Sequence, residues 1–227
     1  MTWAKGVCYI QHERMKSKMI AEAAFFARHD PLTRGVLRAG VVGIAGAGGL
    51  GSNVALALVR AGIGKLIIAD FDRIEVTNLN RQQYFADQVG QIKVEALADN
   101  LRRIHPFTVI VAHPVRVTHR NIIRLFADAD ILIEAFDRAG EKQMLIESWM
   151  SRFPDRPIIA ASGLSGVGGN NRMRERRIGN LYLIGDGSSE PRPGISPLAP
   201  RVAVAAGMQA NLAVELLIRI RRRPCSK

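Results

Sequence analysis

The sequence predicts a doubly wound α/β fold with a mostly parallel sheet and an antiparallel extension. Three observations predict it. Val41 to Ala45 is an apolar run that enters a glycine-rich turn, Gly46-Ala47-Gly48-Gly49-Leu50-Gly51, and then a helical segment. Strand-like and helix-like segments then alternate as far as Ala161, which is the rhythm of successive βαβ units. Two of the later strands, Ile131 to Phe136 and Pro157 to Ala161, are almost continuously apolar, as strands covered on both faces must be. At 227 residues and 48% hydrophobic content the chain can bury one substantial core.

Taken in order, Met15, Met19, Ile20, Ala23 and Phe26 recur at spacings of three and four and predict an amphipathic helix over 11–28, ending before His29-Asp30-Pro31. Leu37 begins a short lead into the first strand. Leu50 to Arg60 reads as a helix closed by Gly62 and Gly64, and Lys65 to Asp70 as a second strand. Residues 71–83 are too polar and irregular for a core element and read as a surface loop carrying function. Helices are expected over 89–104, 120–127 and 140–151, with strands over 108–112, 131–136 and 157–161. From Ser162 glycines break the rhythm. Residues 170–177 and 180–184 are expected to extend the sheet as antiparallel strands, and 185–200, with four prolines, to form a long exposed crossover that stays mobile until a partner orders it. Val202 to Ile220 resumes as a helix rich in Ala, Leu and Ile.

Gly46, Gly48 and Gly51 make a G-x-G-x-x-G, Rossmann-like in its setting. It allows a tight turn, bare backbone beside a phosphate and close packing of the helix whose N-terminus offers N–H donors. Asp70 closes the second strand 24 residues after Gly46, where an acid can hold ribose hydroxyls. An NAD(P)-dependent oxidoreductase would account for these residues equally well. Asn78, Arg81 and Lys93 separate the readings, because a dinucleotide's pyrophosphate is already served by the glycine turn, whereas ATP presents further charges that need cations and donors. Asp137 follows the strand over 131–136, at an edge where a carboxylate could hold Mg²⁺ on the phosphates or simply cap the next helix.

The formal net charge of +12 is scattered over Lys16, Lys18, Arg102, Arg103, the cluster 172–177 and the tail 219–227. No aromatic-rich RNA-binding pattern accompanies it, so solvated faces or an acidic protein partner are expected before a nucleic acid. Cys8 and Cys225 alone can build neither a disulfide framework nor a C-x-x-C zinc site. With no long apolar run near the N-terminus and only strand-length apolar stretches elsewhere, a soluble, cytoplasmic protein without a membrane span is expected.

Gly46-Ala47-Gly48-Gly49-Leu50-Gly51, Asp70-Phe71-Asp72, Thr77-Asn78-Leu79-Asn80-Arg81-Gln82 and Val89-Gly90-Gln91-Ile92-Lys93 together resemble the E1-like ThiF/MoeB/HesA family of adenylating enzymes. The resemblance runs from about Arg28 to Ile220, and the short length is similar to compact ThiF-type members linked with thiamine biosynthesis. It implies an N-terminal helical segment over 1–30, an E1-like adenylation domain over 31–220 with its crossover near 185–200, and a basic tail over 221–227. It further implies that ATP adenylates the C-terminal glycine carboxylate of a ubiquitin-like sulfur carrier ending in Gly-Gly, with release of pyrophosphate. The glycine loop with Gly49 and Asp70 would seat the nucleotide, Asn78, Arg81 and Lys93 the phosphates, and Asp137 Mg²⁺, while Asp72 would support the Asp70 loop. Phe26-Ala27-Arg28-His29 is similar to the segment whose arginine reaches the neighbouring subunit's phosphates, which implies a homodimer with Arg28 acting across it. The zinc-binding cysteine pairs and crossover cysteine of longer members are absent, and Ser188-Ser189 stand in the crossover, so neither zinc nor a covalent cysteine step is expected. Rival readings are an E1-like enzyme acting on tRNA and a nucleotide-binding scaffold without chemistry.

Overall fold

The computed structural model describes residues 22–222. They fall into two units, one up to Gly35 and one from Val36 onward. The expected apolar positions Met15, Met19 and Ile20, both cysteines and the end of the tail lie outside the described residues. In the first unit residues 22–25 are helical, and Phe26 makes edge contacts with Phe25 and His29.

A helix stands where only a lead into the first strand is expected: α1, Pro31–Ala39. Its start is locally encoded, since Asp30 Oδ2 accepts the Thr33 N–H at 2.8 Å and proline needs no donor partner in a first turn.

The second unit is built on seven strands: β1 (Val41–Ala45), β2 (Lys65–Ala69), β3 (Val109–His113), β4 (Ile131–Glu134), β5 (Ile158–Ala161), β6 (Arg174–Ile178) and β7 (Leu181–Gly185). Their order is β3-β2-β1-β4-β5-β7-β6. All neighbours run parallel except β6 against β7. The antiparallel extension is therefore the single edge strand β6, because β7 joins β5 in parallel register. The wholly exposed sequence Arg-Glu-Arg-Arg-Ile of β6 suits an edge that must not pair with another chain.

The helices α2 (Gly49–Ala61), α3 (Lys93–Ile104) and α6 (Ala199–Arg222) cover one face, and α4 (Ile122–Phe126) and α5 (Ala139–Arg152) the other. Strand alternation feeds both layers. Leu66 and Ile68 of β2 join the core with Val54, Leu58 and Leu97, while Ile67 and Ala69 join Phe126, Leu145 and Trp149. By length and composition α6 could cross a membrane, against the sequence expectation of strand-length apolar stretches only. Its buried Val202, Ala205, Ala206, Ala213, Leu216 and Leu217 instead pack in the core shared with α2.

Two glycines fix where elements meet. A Cβ on Gly51 would stand 1.9 Å from the Gly46 carbonyl oxygen, and one on Gly64 1.8 Å from that of Arg38. No side chain fits either contact.

The crossover after β7 is pinned at both ends, where the sequence suggests a segment awaiting a partner. Asp186 near its start and Arg201 near its end form an ion pair whose side chains are 1% and 5% exposed. Arg201 also donates to the Gly168 carbonyl, and Asp186 Oδ1 accepts the N–H groups of Ser188 and Ser189 at 2.9 and 2.8 Å. The segment is further tied down by Gly166 N–H donating to Ser196 O at 3.2 Å. Burial alone would raise the Asp186 pKa, but the Ser189 and Ser188 N–H groups and the Arg201 guanidinium hold it well below the usual carboxylate range.

Gly51→Ala is expected to lower folding stability by about 1–3 kcal/mol or more through overpacking. Gly207→Ala, in the interior of α6 with nothing within 4 Å of its added methyl, is expected to raise it by about 0.5–1 kcal/mol. Thermal denaturation of both variants checks the pair. A depressed native pKa at Asp186 makes its contribution to stability present above the unfolded carboxylate pKa of about 3.9 and lost as the pH falls further. Acid titration of stability by circular dichroism should accordingly show a shallower acid limb in Asp186→Asn.

Candidate functional site

Six parallel strands end at one edge of the sheet, and the segment after each contributes to the wall of one cavity of about 620 Å³. The glycine loop follows β1, Asp70 to Asp72 follow β2, and Val115 to Val117 follow β3. Phe136 to Ala139 follow β4, Ser162 to Ser165 follow β5, and Ser189 to Pro191 follow β7. Open α/β sheets hold ligands at this edge, where the strand order reverses. Here the reversal lies between β1 and β4.

The glycine loop turns back on itself because Gly46, at φ +103°, adopts a backbone conformation that side chains disfavour, and its N–H donates to Ala69 O at 2.9 Å. Asp70 is tied to this loop. Its Oδ2 accepts the Ala47 N–H at 2.6 Å and its Oδ1 the Asp72 N–H at 2.8 Å, which leaves one lone pair on each oxygen for a ligand hydroxyl. Tyr84 closes the loop from behind by donating to Ala47 O at 2.7 Å. Burial, then the Asp70 and Asp72 carboxylates, push its phenol pKa up, so it remains a donor.

The polar segment over 71–92 is far from a free surface loop. Ser52 and Asn53 of α2 hold it, with Gln83 N–H donating to Ser52 Oγ at 3.1 Å, Asn53 Nδ2 to Arg81 O at 3.0 Å, and Gln83 Nε2 to Asn53 Oδ1 at 2.7 Å. Arg81 is thereby placed on the cavity wall beside Gly49, its Nη1 donating to Asn80 Oδ1 at 2.8 Å. Lys93 also lines the cavity and is buried, with its Nζ 3.0 Å from Asp72 Oδ2. Asp72 thus matches the Lys93 charge and fixes its position, in addition to bordering Asp70.

The cavity brings together Gly46, Gly48, Gly49, Asp70, Asp72, Arg81, Lys93 and Asp137. Two expected residues are not part of this wall. Asn78 is buried, and its Oδ1 accepts the Glu75 N–H at 3.1 Å, so it shapes the loop that carries Arg81. Gly51 serves packing of α2 on the turn. Arg28 is exposed in the N-terminal unit. Asp137 is exposed on the cavity wall, and among the described residues none hydrogen-bonds it. No cluster of three or more metal-ligating side chains exists among the described residues.

The sequence reading passed over several groups in this wall or directly behind it. Gln82 is 8% exposed with its Oε1 unpartnered, and its Nε2 lies 3.8 Å from where a Gly48 Cβ would be. Glu134, fully buried at the end of β4, accepts from Lys142 Nζ at 2.8 and 3.0 Å and from Phe136 N–H at 2.7 Å. Burial pushes its pKa up, and Lys142 opposes that shift. An acid inside the apolar run over 131–136 is the signal that could have exposed this pair, because such a charge needs a cation within reach. Phe71 carries the Arg116 guanidinium 3.9 Å from its ring centre, with Arg116 anchored on Glu141 at 2.7 Å.

Comparison with known proteins gives these features a family. Over 161 residues the chain is 30% identical to the adenylyltransferase and sulfurtransferase UBA4 of Meyerozyma guilliermondii, which covers 70% of this chain and 37% of that protein. It is 39% identical over 101 residues to the sulfur carrier protein adenylyltransferase of Thermus thermophilus, covering 44% of this chain and 37% of the relative. The chain thus spans little more than a third of the length of either curated relative. Among solved structures, the E. coli tRNA N6-threonylcarbamoyladenosine dehydratase TcdA in complex with AMP superposes with a TM-score of 0.79, covering 89% of this chain and 95% of that one. At 21% identity this likeness shows a shared fold. The sequence profile described as the ThiF family matches residues 22–227, and with it the glycine loop, Asp70, Arg81 and Lys93, so this chain belongs to the E1-like ThiF family.

Proposed function

We propose that this chain is an adenylyltransferase that uses ATP to activate the C-terminal glycine carboxylate of a small ubiquitin-like sulfur carrier, with release of pyrophosphate. The observation that carries the reading is the single cavity in which a bare-backbone loop, a strand-end acid, two cations and an unpartnered carboxylate converge. Each has a task in adenylation, whereas a dinucleotide oxidoreductase leaves Arg81, Lys93 and Asp137 without one. The relative from Thermus thermophilus named as a sulfur carrier protein adenylyltransferase supports the choice of partner. Thiamine biosynthesis is the pathway that the compact ThiF-type resemblance suggests.

In this reading the α2 N-terminus and the glycine loop offer N–H groups to the phosphates, and Asp70 accepts from the ribose. Arg81 and Lys93 stabilise the charge that develops as pyrophosphate departs, so the carrier carboxylate attacks the α-phosphorus without covalent help from the protein. A lone exposed carboxylate fits Mg²⁺, which is usually held by one or two carboxylates together with substrate phosphates. Asp137 would be that ligand, and the ion would supply neutralisation of the phosphate oxygens. A homodimer in which Arg28 reaches the neighbouring site belongs to the same proposal.

A second reading, adenylation of a tRNA modification, is favoured by the near-complete overlap with TcdA and by the exposed arginines of β6. Retention of tRNA at physiological salt would select it.

ATP–pyrophosphate exchange in the presence of a carrier ending in Gly-Gly is expected for the wild type, with a loss of about 10²-fold or more in Arg81→Ala and in Asp137→Ala. Unchanged exchange in both would refute the site. If the basic faces serve an acidic carrier, the association rate should fall as salt is added, as stopped-flow binding would show, and a salt-independent rate would remove that part.

A further inference from the structure

A second hollow, of about 330 Å³, opens at the β3 edge of the sheet and is lined by His113, Val115, Asn121, Arg124 and Leu125. Val115 lines the large cavity as well, so the two share one wall residue. The glycine loop follows β1, two strands away, which separates this hollow from the place where the proposed reaction seats the nucleotide phosphates. Its two basic groups come from different elements: His113 ends β3, and Arg124 lies in α4. Among the described residues neither side chain has a hydrogen bond or an ion pair, and no carboxylate lines the hollow. Burial, then the Arg124 charge, hold the His113 pKa below its ordinary value. Two groups that can both be cationic thus face one another with no anion between them, a repulsion that a bound anion would turn into attraction.

The neighbouring basic groups are already engaged. Arg116 is held by Glu141 and the Phe71 ring, and His119 Nδ1 lies 3.0 Å from Ser148 Oγ. The wall itself is preset. Asn121 Oδ1 accepts the Thr118 N–H at 2.8 Å and its Nδ2 donates to Arg116 O at 2.9 Å, which fixes the loop between β3 and α4. The His113 carbonyl accepts the N–H groups of Asp70 and Val115 at 3.2 and 2.8 Å, and Leu125 adds a buried apolar surface. A guanidinium fork engages two oxygens of an anion, and an imidazolium can donate to a third. A phosphate-type dianion supplies three oxygens and matches both charges, whereas a carboxylate supplies two oxygens and one charge. A nucleic acid calls for a row of cations along its backbone, and the exposed arginines of β6 stand at the opposite edge of the sheet.

We propose that this hollow is a binding site for a phosphate-type anion, free or as the phosphoryl group of a small molecule, held by Arg124 and His113 and separate from the nucleotide cavity. The site stands whether or not the chain adenylates a carrier. Its occupant would lie against Val115 and the strand end that holds the Asp70 backbone, so it would border the nucleotide cavity without entering it.

The test titrates inorganic phosphate into the full chain and follows the His113 ring signals by NMR, assigned through their loss in His113→Gln. Phosphate is expected to raise the pH midpoint of His113 by about 1, the scale of an adjacent opposite charge, and sodium chloride at equal ionic strength to leave it in place. Arg124→Gln, at an exposed position, should weaken the phosphate response about tenfold, as expected for the loss of a charge-assisted hydrogen bond. Calorimetry of the same variant should show unchanged ATP affinity, which separates this site from phosphate bound beside the glycine loop. Glycerol 3-phosphate acting at lower concentration than inorganic phosphate would assign the site to a small-molecule phosphoryl group, and the reverse order to the free ion. No movement of His113 with phosphate, an equal movement with chloride, or an undiminished response in Arg124→Gln would each overturn the site.

Discussion

The contact between Gly51 and the Gly46 carbonyl is the constraint on which the site depends. With 1.9 Å between that oxygen and any added Cβ, α2 rests directly on the turn that ends β1. Everything attached to the first turns of α2 inherits that position. Ser52 and Asn53 hold the backbone of Arg81 and Gln83, Tyr84 reaches back to Ala47, and Ala47 holds Asp70. A single close approach of backbone thus sets the distance between the glycine loop, the strand-end acid and the first cation. Preorganisation of this kind is what lets charged groups act on a reacting phosphate without moving at the moment of reaction.

The second organising choice is to keep buried charge in pairs. Lys93 with Asp72 and Lys142 with Glu134 stand at the cavity, and Arg201 with Asp186 at the base of the crossover. Such pairs are weak evidence for stability, because desolvation offsets much of their attraction. Their geometric effect is firmer. Each fixes a side chain that would otherwise have several rotamers, and each joins two different segments of the fold.

Much of this was legible in the chain. The strand-turn-helix signal, the acid at the end of β2 and the alternation of elements are local, and local signals survive folding. Arg81, Lys93 and Asp137 were readable because a residue just past a parallel strand or at a helix start has few places to go. That the Asn78 side chain caps its own loop is a choice that type and spacing do not reveal. The α1 helix escaped notice since Gly35 interrupts a short segment that Asp30 and Pro31 nevertheless start. The pair Asp186–Arg201 was invisible for a different reason. Its members lie on either side of a proline-rich stretch with little apolar content, and only the three-dimensional path of β7 into α6 brings them together.

That pinning has a consequence for how such a protein can diversify. A loop closed by a fixed ion pair at its base is free to change length, since doubling a flexible loop costs only about 0.6 kcal/mol in closure entropy. Insertions between Ser189 and Pro197 would alter the lip of the cavity without disturbing the sheet, the glycine turn or the helix whose first turn holds Arg201. The frame and its fitting are thereby separated, and the shape of the cavity mouth can change through new sequence in a stretch outside the sheet and its helices.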